Sequence, residues 1–230
     1  MPGLSLQISD YLRATCPNLR LGAVVGSTPS SDTAGHQAGS GSLLDAALDD
    51  LVAAIAADPG ALQHPRLEAM AATFRRAGAN PSRYAPSATA LVKRIAAGKG
   101  LYRINPLVDI NNLLSLTLRI PCGIYDREHI AGPRLTFDLA APQATYLGID
   151  GVEQRTAGKL LLADRDKVLG GPHADAAPTR ITDVTRHFLC VLYYPDMPES
   201  PVVVAEELGF AARLFEQQGG AVVLGTSVAG

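Results

Sequence analysis

Residues 103–118 read RINPLVDINNLLSLTL, and the apolar side chains from 107 to 118 predict a buried helix. Asn105 followed by Pro106 is typical of a helix start, because asparagine accepts from free N–H groups and proline fits the first turn. Asp109 then lies near the positive end of the helix dipole, where its charge is favourable. These residues therefore have a purely structural explanation.

The same helix carries two adjacent amides, Asn111 and Asn112, that capping does not explain. Asparagine lowers the stability of a helix interior. A buried amide without a partner costs on the order of several kcal/mol. Two interpretations therefore remain open for this pair: hydrogen bonds to the backbone, or binding of a polar ligand.

Outward from this helix, helical spacing dominates the first half of the chain, and short strands separated by turns dominate the second. This grouping predicts an α+β fold rather than a doubly wound parallel sheet. Two strands, at 4–8 and 19–25, precede the helices. Further helices are predicted at 43–57, 65–78 and 87–98, strands at 135–139, 159–163 and 188–194, and a C-terminal helix at 201–218.

Length, composition and charge indicate a single globular domain. With 230 residues, 47% of them apolar, the chain is expected to form one domain over 1–230 with its own core. The net charge of −2 provides no overall positive field, so any contact with nucleic acid is expected to be weak or local. Residues 26–42 are rich in glycine and small polar residues, which predicts a flexible surface loop.

Cysteine usage and the first residues indicate a cytoplasmic protein. Cys16, Cys122 and Cys190 form no CxxC pair and are expected to be buried thiols. An apolar run of about 18 residues, which a membrane span would need, is absent. The first ten residues also lack the basic and apolar regions of a signal peptide.

Several well-known catalytic and metal-binding patterns are missing from the sequence. It contains no GxSxG, no HExxH and no complete phosphate loop. Asp126, Glu128 and His129 are expected in an exposed turn rather than in a metal site, because these residue types lie mostly at protein surfaces. The sequence therefore predicts neither a metal nor a cofactor.

Five segments, in order within residues 81–194, carry a family resemblance. They are GKGLYRINPLVDINNLLSL (98–116), IPCGIYD (120–126), YLGIDGVEQ (146–154), KLLLADRDKVLGG (159–171) and TRITDVTRHFLCVLYY (179–194). Together they resemble the B3/B4 domain of the bacterial phenylalanyl-tRNA synthetase β subunit, and more closely the stand-alone B3/B4 proteins. The resemblance implies an α+β domain whose pocket, in the synthetase, hydrolyses the ester of tRNA charged with tyrosine instead of phenylalanine.

The resemblance also implies site residues in this chain. Asn112 matches the family's asparagine and Asn111 the polar position before it, so both are candidate catalytic residues. We expect the helix around Asn112, residues 121–126 and the turn at 148–151 to converge. The candidate substrate-binding residues are Gly123, Tyr125, Gly151, His173 and Arg103.

Two positions depart from the family pattern. Gly123 stands where the synthetase motif has histidine, and Pro172 follows the Gly-Gly turn where an acidic residue commonly recognises the tyrosine hydroxyl. The remaining pattern still suits hydrolysis by neutral donors and backbone amides that orient water and ester, without a metal or a covalent nucleophile.

Three functions follow from these observations. The first is a stand-alone editing-type domain that binds aminoacyl-tRNA, or a related aminoacyl ester, and hydrolyses it in trans. The second is a non-catalytic module that binds RNA or an amino-acid-like ligand. The third is an interaction scaffold, whose mark would be an exposed apolar stripe on the C-terminal helix. We expect tRNA as partner, no membrane and no DNA, and the oligomeric state stays open.

Overall fold

The computed structural model describes residues 4–29 and 40–230, with side chains from residue 43 onward in the second range. The α-helices of these ranges are α1 (Asp10–Thr15), α2 (Ser40–Ala57), α3 (Pro65–Arg76), α4 (Ser87–Ala96), α5 (Pro106–Leu118) and α6 (Pro201–Gly219). The strands are β1 (Ser5–Ile8), β2 (Arg20–Ser27), β3 (Cys122–Asp126), β4 (Arg134–Leu139), β5 (Thr145–Leu147), β6 (Glu153–Arg155), β7 (Leu160–Ala163), β8 (Val168–Gly171), β9 (Ala174–Asp175), β10 (His187–Tyr194) and β11 (Val222–Ala229).

Two sheets and one hairpin form the β-rich part of the molecule. The first sheet has the order β11-β2-β10-β3, with antiparallel neighbours throughout. The second has the order β1-β4-β7-β8-β9, in which only the β1–β4 pair is parallel. Strands β5 and β6 pair with each other. Helices grouped before mostly antiparallel strands confirm the predicted α+β class.

Strand β10 runs through the first sheet and is buried on both faces. Leu189, Val191 and Tyr193 pack on one face with α1, α3 and the second sheet. Cys190 and Leu192 pack on the other face with α2, α5 and α6. The first sheet therefore separates two apolar cores, and α5 covers the second of them.

Helix α5 begins and folds as its sequence predicts. The Asn105 side chain accepts a hydrogen bond from Val108 N at 3.0 Å, and Asp109 accepts one from Ile104 N at 3.1 Å. The helix ends at Arg119, whose φ of 57° lies in the left-handed region. Because both ends are fixed, the residues between them are held at defined positions against the sheet.

The predicted loop at 26–42 is too long at both ends. Gly26 and Ser27 belong to β2, where pairing with β10 and β11 satisfies their backbone. Residues 40–42 already lie in α2. Residues 30–39 lie outside the described residues.

The expected exposed turn is confirmed for Glu128 and His129, but it is wrong for Asp126. Residues 122–126 form β3, and Asp126 is buried. Its carboxylate accepts hydrogen bonds from the Thr185 hydroxyl at 2.7 Å and from Glu128 N at 3.0 Å. The carboxylate therefore caps the short 3-10 turn at Arg127–His129. The described residues contain no cluster of three or more His, Cys, Asp or Glu side chains that could hold a metal.

Helix α6 buries the apolar face that the sequence predicts. Val204, Leu208 and Phe215 lie in the second core. Val202 and Val203 are exposed, and both lie in the first turn of the helix. The exposed stripe expected of an interaction scaffold is therefore absent from this helix.

The three cysteines are free and buried, as expected. A search of the described helices finds none with the length and apolar character that crossing a membrane requires.

Arg66 ties three helices together at the edge of the second core. Its guanidinium donates to Glu199 at 2.7 Å, to Glu207 at 2.8 Å and to the Leu118 carbonyl at 3.0 Å. The Arg66 side chain is only 14% exposed. Burial alone lowers its pKa, but hydrogen bonds and charges of the two glutamates outweigh burial and raise it. The network thus joins α3 to the end of α5 and to α6.

Replacing Arg66 with methionine leaves two poorly solvated carboxylates without a cation. We expect Arg66→Met to lower the free energy of unfolding by about 3–5 kcal/mol, the range for breaking a buried pair. Urea unfolding measures the difference. The control, Arg165→Met, removes an exposed pair with Asp166 and should leave the unfolding curve unchanged. Equal stability of Arg66→Met and the original protein would contradict a stabilising role for the network.

Candidate functional site

A cavity of about 320 Å³ lies between α4, α5, β3 and the segments that follow β5 and β8. Helix α5 contributes Asn112, β3 contributes Cys122 and Ile124, and the turn after β5 contributes Ile149. The three segments expected to converge therefore do so. Half of the sixteen lining residues are apolar, and the polar or charged half are Ser87, Arg94, Asn111, Asn112, Ser115, His173, Asp175 and Arg180.

The two adjacent amides of α5 have different surroundings. Asn111 is buried, donates to the Cys122 carbonyl at 3.1 Å and accepts from the Cys190 thiol at 3.7 Å. It therefore joins the helix to β3 and β10. Asn112 is half-buried at the cavity, and its side chain makes no hydrogen bond with any described residue. Its amide is available to a ligand.

His173 and Ser87 present further polar atoms that lack partners. Both ring nitrogens of His173 and the hydroxyl of Ser87 are buried, and none of them hydrogen-bonds within the described part of the chain. The His173 ring lies against Tyr84, with centroids 5.7 Å apart. Burial, and then the charge of Lys159, lower the pKa of His173 to about 4. Its imidazole is therefore neutral at pH 7.

A second cavity of about 180 Å³ shares Ile149, His173 and Asp175 with the first. Lys159 lines it, and its ammonium donates to the Tyr146 hydroxyl at 3.2 Å and to Gln154 at 3.3 Å. The same ammonium lies 5.0 Å from the centre of the Tyr84 ring and 4.9 Å from that of Tyr146. Burial and the charge of Arg83 lower the pKa of Lys159, against the opposing effect of Asp150.

Asp175 stands in the wall that the two cavities share, at the end of a chain of buried hydroxyls. The hydroxyls of Tyr193 and Tyr125 are 2.8 Å apart, and that of Tyr125 hydrogen-bonds to Asp175. Because an ionised carboxylate only accepts, the chain runs from Tyr193 through Tyr125 to Asp175. Burial raises the pKa of Asp175 to about 7, although the Tyr125 hydrogen bond lowers it.

Two glycines, Gly123 and Gly170, leave room for the side chains of Tyr125 and Asp175. A Cβ at Gly123 would overlap the Tyr125 hydroxyl and lie 3.2 Å from the Asp175 carboxylate. A Cβ at Gly170 would lie 2.8 Å from the same carboxylate, and the φ of 151° at this glycine also disfavours a side chain. A side chain at position 123 would therefore clash with Tyr125 and crowd Asp175.

The other sequence-predicted residues lie away from the cavity surface. Arg103 is held by Asp49 on α2, at 2.6 Å. Gly151, with a φ of 77°, lies at the exposed tip of the turn before β6. Gly123 and Tyr125 lie behind Asp175 rather than in the cavity lining.

The sequence reasoning missed Asp175, Ser87 and Lys159. The sequence analysis treats Ser87 only as the start of a predicted helix and Lys159 only as the start of a predicted strand. The run GGPHAD does signal a polar turn after two glycines, at Asp175. The sequence does not show, however, that Tyr125 and Gly123 lie next to this carboxylate, because both are distant from it in the chain.

Comparison with known proteins matches the chain to one family. The profile of the family described as B3/4 domain matches residues 69–198, which include every cavity residue discussed above. Among solved structures, an N-terminal fragment of the phenylalanyl-tRNA synthetase β subunit from Pyrococcus horikoshii is similar, with a TM-score of 0.44 and 12% identity. The match covers 98% of this chain and 50% of that fragment, so the chain spans half its length. A search of curated proteins found no match.

The low pKa of His173 predicts a pH-dependent stability. Between pH 6.5 and about 4 the unfolded chain binds a proton at His173 that the folded chain does not, so acidification destabilises the fold. We expect the stability of His173→Asn relative to the original protein to rise by about 3 kcal/mol as the pH falls through this window. Urea unfolding at several pH values measures it. Asp175 is present in both proteins, so its opposite contribution cancels; parallel stability curves would contradict the prediction.

Proposed function

The chain belongs to the B3/4 domain family, and from this premise we propose that its cavity binds the aminoacyl ester at the 3′ end of tRNA and hydrolyses it. One observation carries the proposal: three residues that line one cavity, Asn112, Ser87 and His173, carry polar side-chain atoms without a partner among the described residues. The Ser87 and His173 atoms are buried, and buried polar groups in proteins are nearly always hydrogen-bonded, so they indicate a polar ligand or ordered water beside them. A volume of about 320 Å³ is at the lower end for small-molecule sites.

The proposed reaction is direct attack by water. Neutral His173 accepts a hydrogen bond from the water, and the Asn112 amide and Ser87 hydroxyl donate to the ester carbonyl oxygen, where negative charge develops. The water oxygen bonds to the carbonyl carbon, the bond to the ribose oxygen breaks, and that oxygen takes up a proton. The products are a free amino acid and tRNA.

The surroundings of the cavity favour water over a protein nucleophile. Burial raises the pKa of the Cys122 thiol to about 12, so this cavity-lining sulfur stays protonated. The Ser87 hydroxyl has no hydrogen bond to a base. Neither side chain is therefore activated as a nucleophile.

The rim of the cavity supports a local contact with RNA. Arg94 and Arg180 line the cavity, and the Arg94 guanidinium lies 4.0 Å from the centre of the Tyr102 ring. Tyr102 is 69% exposed, so its free face can stack on a base. Two cations and one aromatic ring suit the terminal nucleotides of tRNA, despite the net charge of −2. A tRNA substrate would place this activity in the cytoplasm.

Asn112→Ala and Asn111→Ala form a matched pair of variants that test the assignment. In a panel of correctly and incorrectly charged tRNAs, we expect Asn112→Ala to reduce hydrolysis of the preferred one about a hundredfold, the effect of losing one preorganised donor. Its melting temperature should be unchanged, because the amide has no protein partner. Asn111→Ala should instead lower the free energy of unfolding by roughly 1–3 kcal/mol.

Two results would argue against hydrolysis at Asn112. The first is an Asn112→Ala protein that melts early yet hydrolyses normally while folded, which would assign this amide to architecture. The second is binding of charged tRNA without turnover by the unaltered protein, which would support the alternative of a binding module.

Tyr102→Ala tests the RNA contact separately from the chemistry. We expect KM for charged tRNA to rise about tenfold, because stacking on an aromatic ring contributes about 1–3 kcal/mol per base. Hydrolysis of a short aminoacyl ester without RNA should not change. Val202→Ala, an exposed substitution on α6, is the control. An unchanged KM for charged tRNA would remove Tyr102 from the interface.

A further inference from the structure

Asp175 is a carboxylate that the fold holds in place, with no cationic partner among the described residues. Tyr125 fixes one side of it by a hydrogen bond, and the missing side chains of Gly123 and Gly170 make its space. It lines both cavities next to His173. Two strands and a hydroxyl chain from β10 therefore position one acidic group.

Two of the cations around the cavities, Arg94 and Lys159, are engaged elsewhere. Arg94 donates to the backbone carbonyls of Gly100 and Lys99 and stacks on Tyr102. The Lys159 ammonium donates to Tyr146 and Gln154. Arg180 also lines the larger cavity, and Asp150 lines the smaller one. Within the described residues Asp175 takes part in no salt bridge with an arginine, lysine or histidine.

A buried carboxylate normally has a cation or a metal as partner, because an unpaired charge away from water is costly. Here the carboxylate lines a cavity, so a ligand bound there can supply the positive charge. A ligand cation with N–H donors forms a strong, charge-assisted hydrogen bond with a carboxylate. The aminoacyl ester of the proposed function carries one such group, its α-ammonium.

We propose that Asp175 binds the α-ammonium group of the aminoacyl ester and so restricts the site to substrates with a free amino group. This inference rests on the proposed function and adds a specificity to it. Asp175 orients the ester through its amino group, while Asn112, Ser87 and His173 act on the carbonyl and the water. An N-acylated aminoacyl ester loses the charge and places a bulky neutral group against the carboxylate.

Burial and this pairing have opposite effects on the pKa of Asp175. Burial raises the pKa of Asp175 to about 7, so part of the protein carries a protonated Asp175 at neutral pH. A bound ammonium favours the ionised form. The ligand therefore supplies a stabilisation that the empty site lacks.

The test compares one charged tRNA with the same tRNA acetylated on the α-amino group. For the unaltered protein we expect kcat/KM to be about a hundredfold lower for the acetylated substrate, the effect of losing a charged hydrogen bond in a desolvated site. Asp175→Asn keeps the shape and can still accept from Tyr125. This variant should lower kcat/KM for the free-amino substrate and bring the ratio of the two substrates close to one.

Asn112→Ala serves as the matched control, because it should slow both substrates equally and keep the ratio. Equal hydrolysis of the two substrates by the unaltered protein would overturn the role of Asp175 while leaving the proposed hydrolysis intact. The same conclusion follows if Asp175→Asn, folded by its melting curve, retains the hundredfold ratio.

A binding measurement separates this inference from failure of the proposed hydrolysis. The probes are 3′-aminoacylamino-3′-deoxyadenosines, non-hydrolysable amide analogues, with and without an N-acetyl group. If no ester is hydrolysed but the free-amino analogue binds about a hundredfold more tightly than its acetylated form, the proposed hydrolysis fails and the role of Asp175 stands. Equal binding of the two analogues, or no binding of either, overturns it.

Discussion

Burial of strand β10 on both faces is the constraint from which the walls of the cavity follow. On one face Tyr193 hydrogen-bonds to Tyr125, which holds Asp175. On the other face the Cys190 thiol donates to Asn111, which holds α5 against β3. One strand thereby fixes an acidic wall and an amide-bearing wall at the same time. The cavity between them is as rigid as the two cores that surround this strand.

The sequence predicted those parts of the fold that local chemistry determines. Asn105 and Pro106 start α5 through contacts within one turn, and the apolar spacing of the other helices is equally local. Strand β3 escaped prediction because its pairing depends on β10, a partner distant in the chain. Strand β9 has two residues, too few for any alternation to appear. The start of the predicted loop was wrong for the same reason, since pairing with β10 and β11 extends β2.

The sequence indicated which region of the chain forms the candidate site, but it did not indicate what each residue does there. Asn111 and Asn112 are equivalent in sequence, yet successive residues of a helix point about 100° apart, so one amide meets the sheet and the other the cavity. From the sequence alone, hydrogen bonds to the backbone and binding of a polar ligand were equally supported for both residues. In the sequence, Gly123 is a departure from the pattern that the resemblance implies, whereas the structure shows the same position making room for Tyr125 and Asp175. The acidic residue that lines the cavity is Asp175, and Pro172 stands where the resemblance implies one.

Gly123 and Tyr125 limit how the sequence can diverge. Any side chain at 123 overlaps the Tyr125 hydroxyl, so a larger residue there is compatible with this backbone only after Tyr125 has lost that hydroxyl or moved. Substitutions at the two positions are therefore epistatic: each is tolerated or harmful according to the other. A sequence with Gly123 and Tyr125 and a sequence with a larger residue at the first position are separated by an intermediate that packs poorly. Drift by single replacements does not easily cross between these two forms of the cavity.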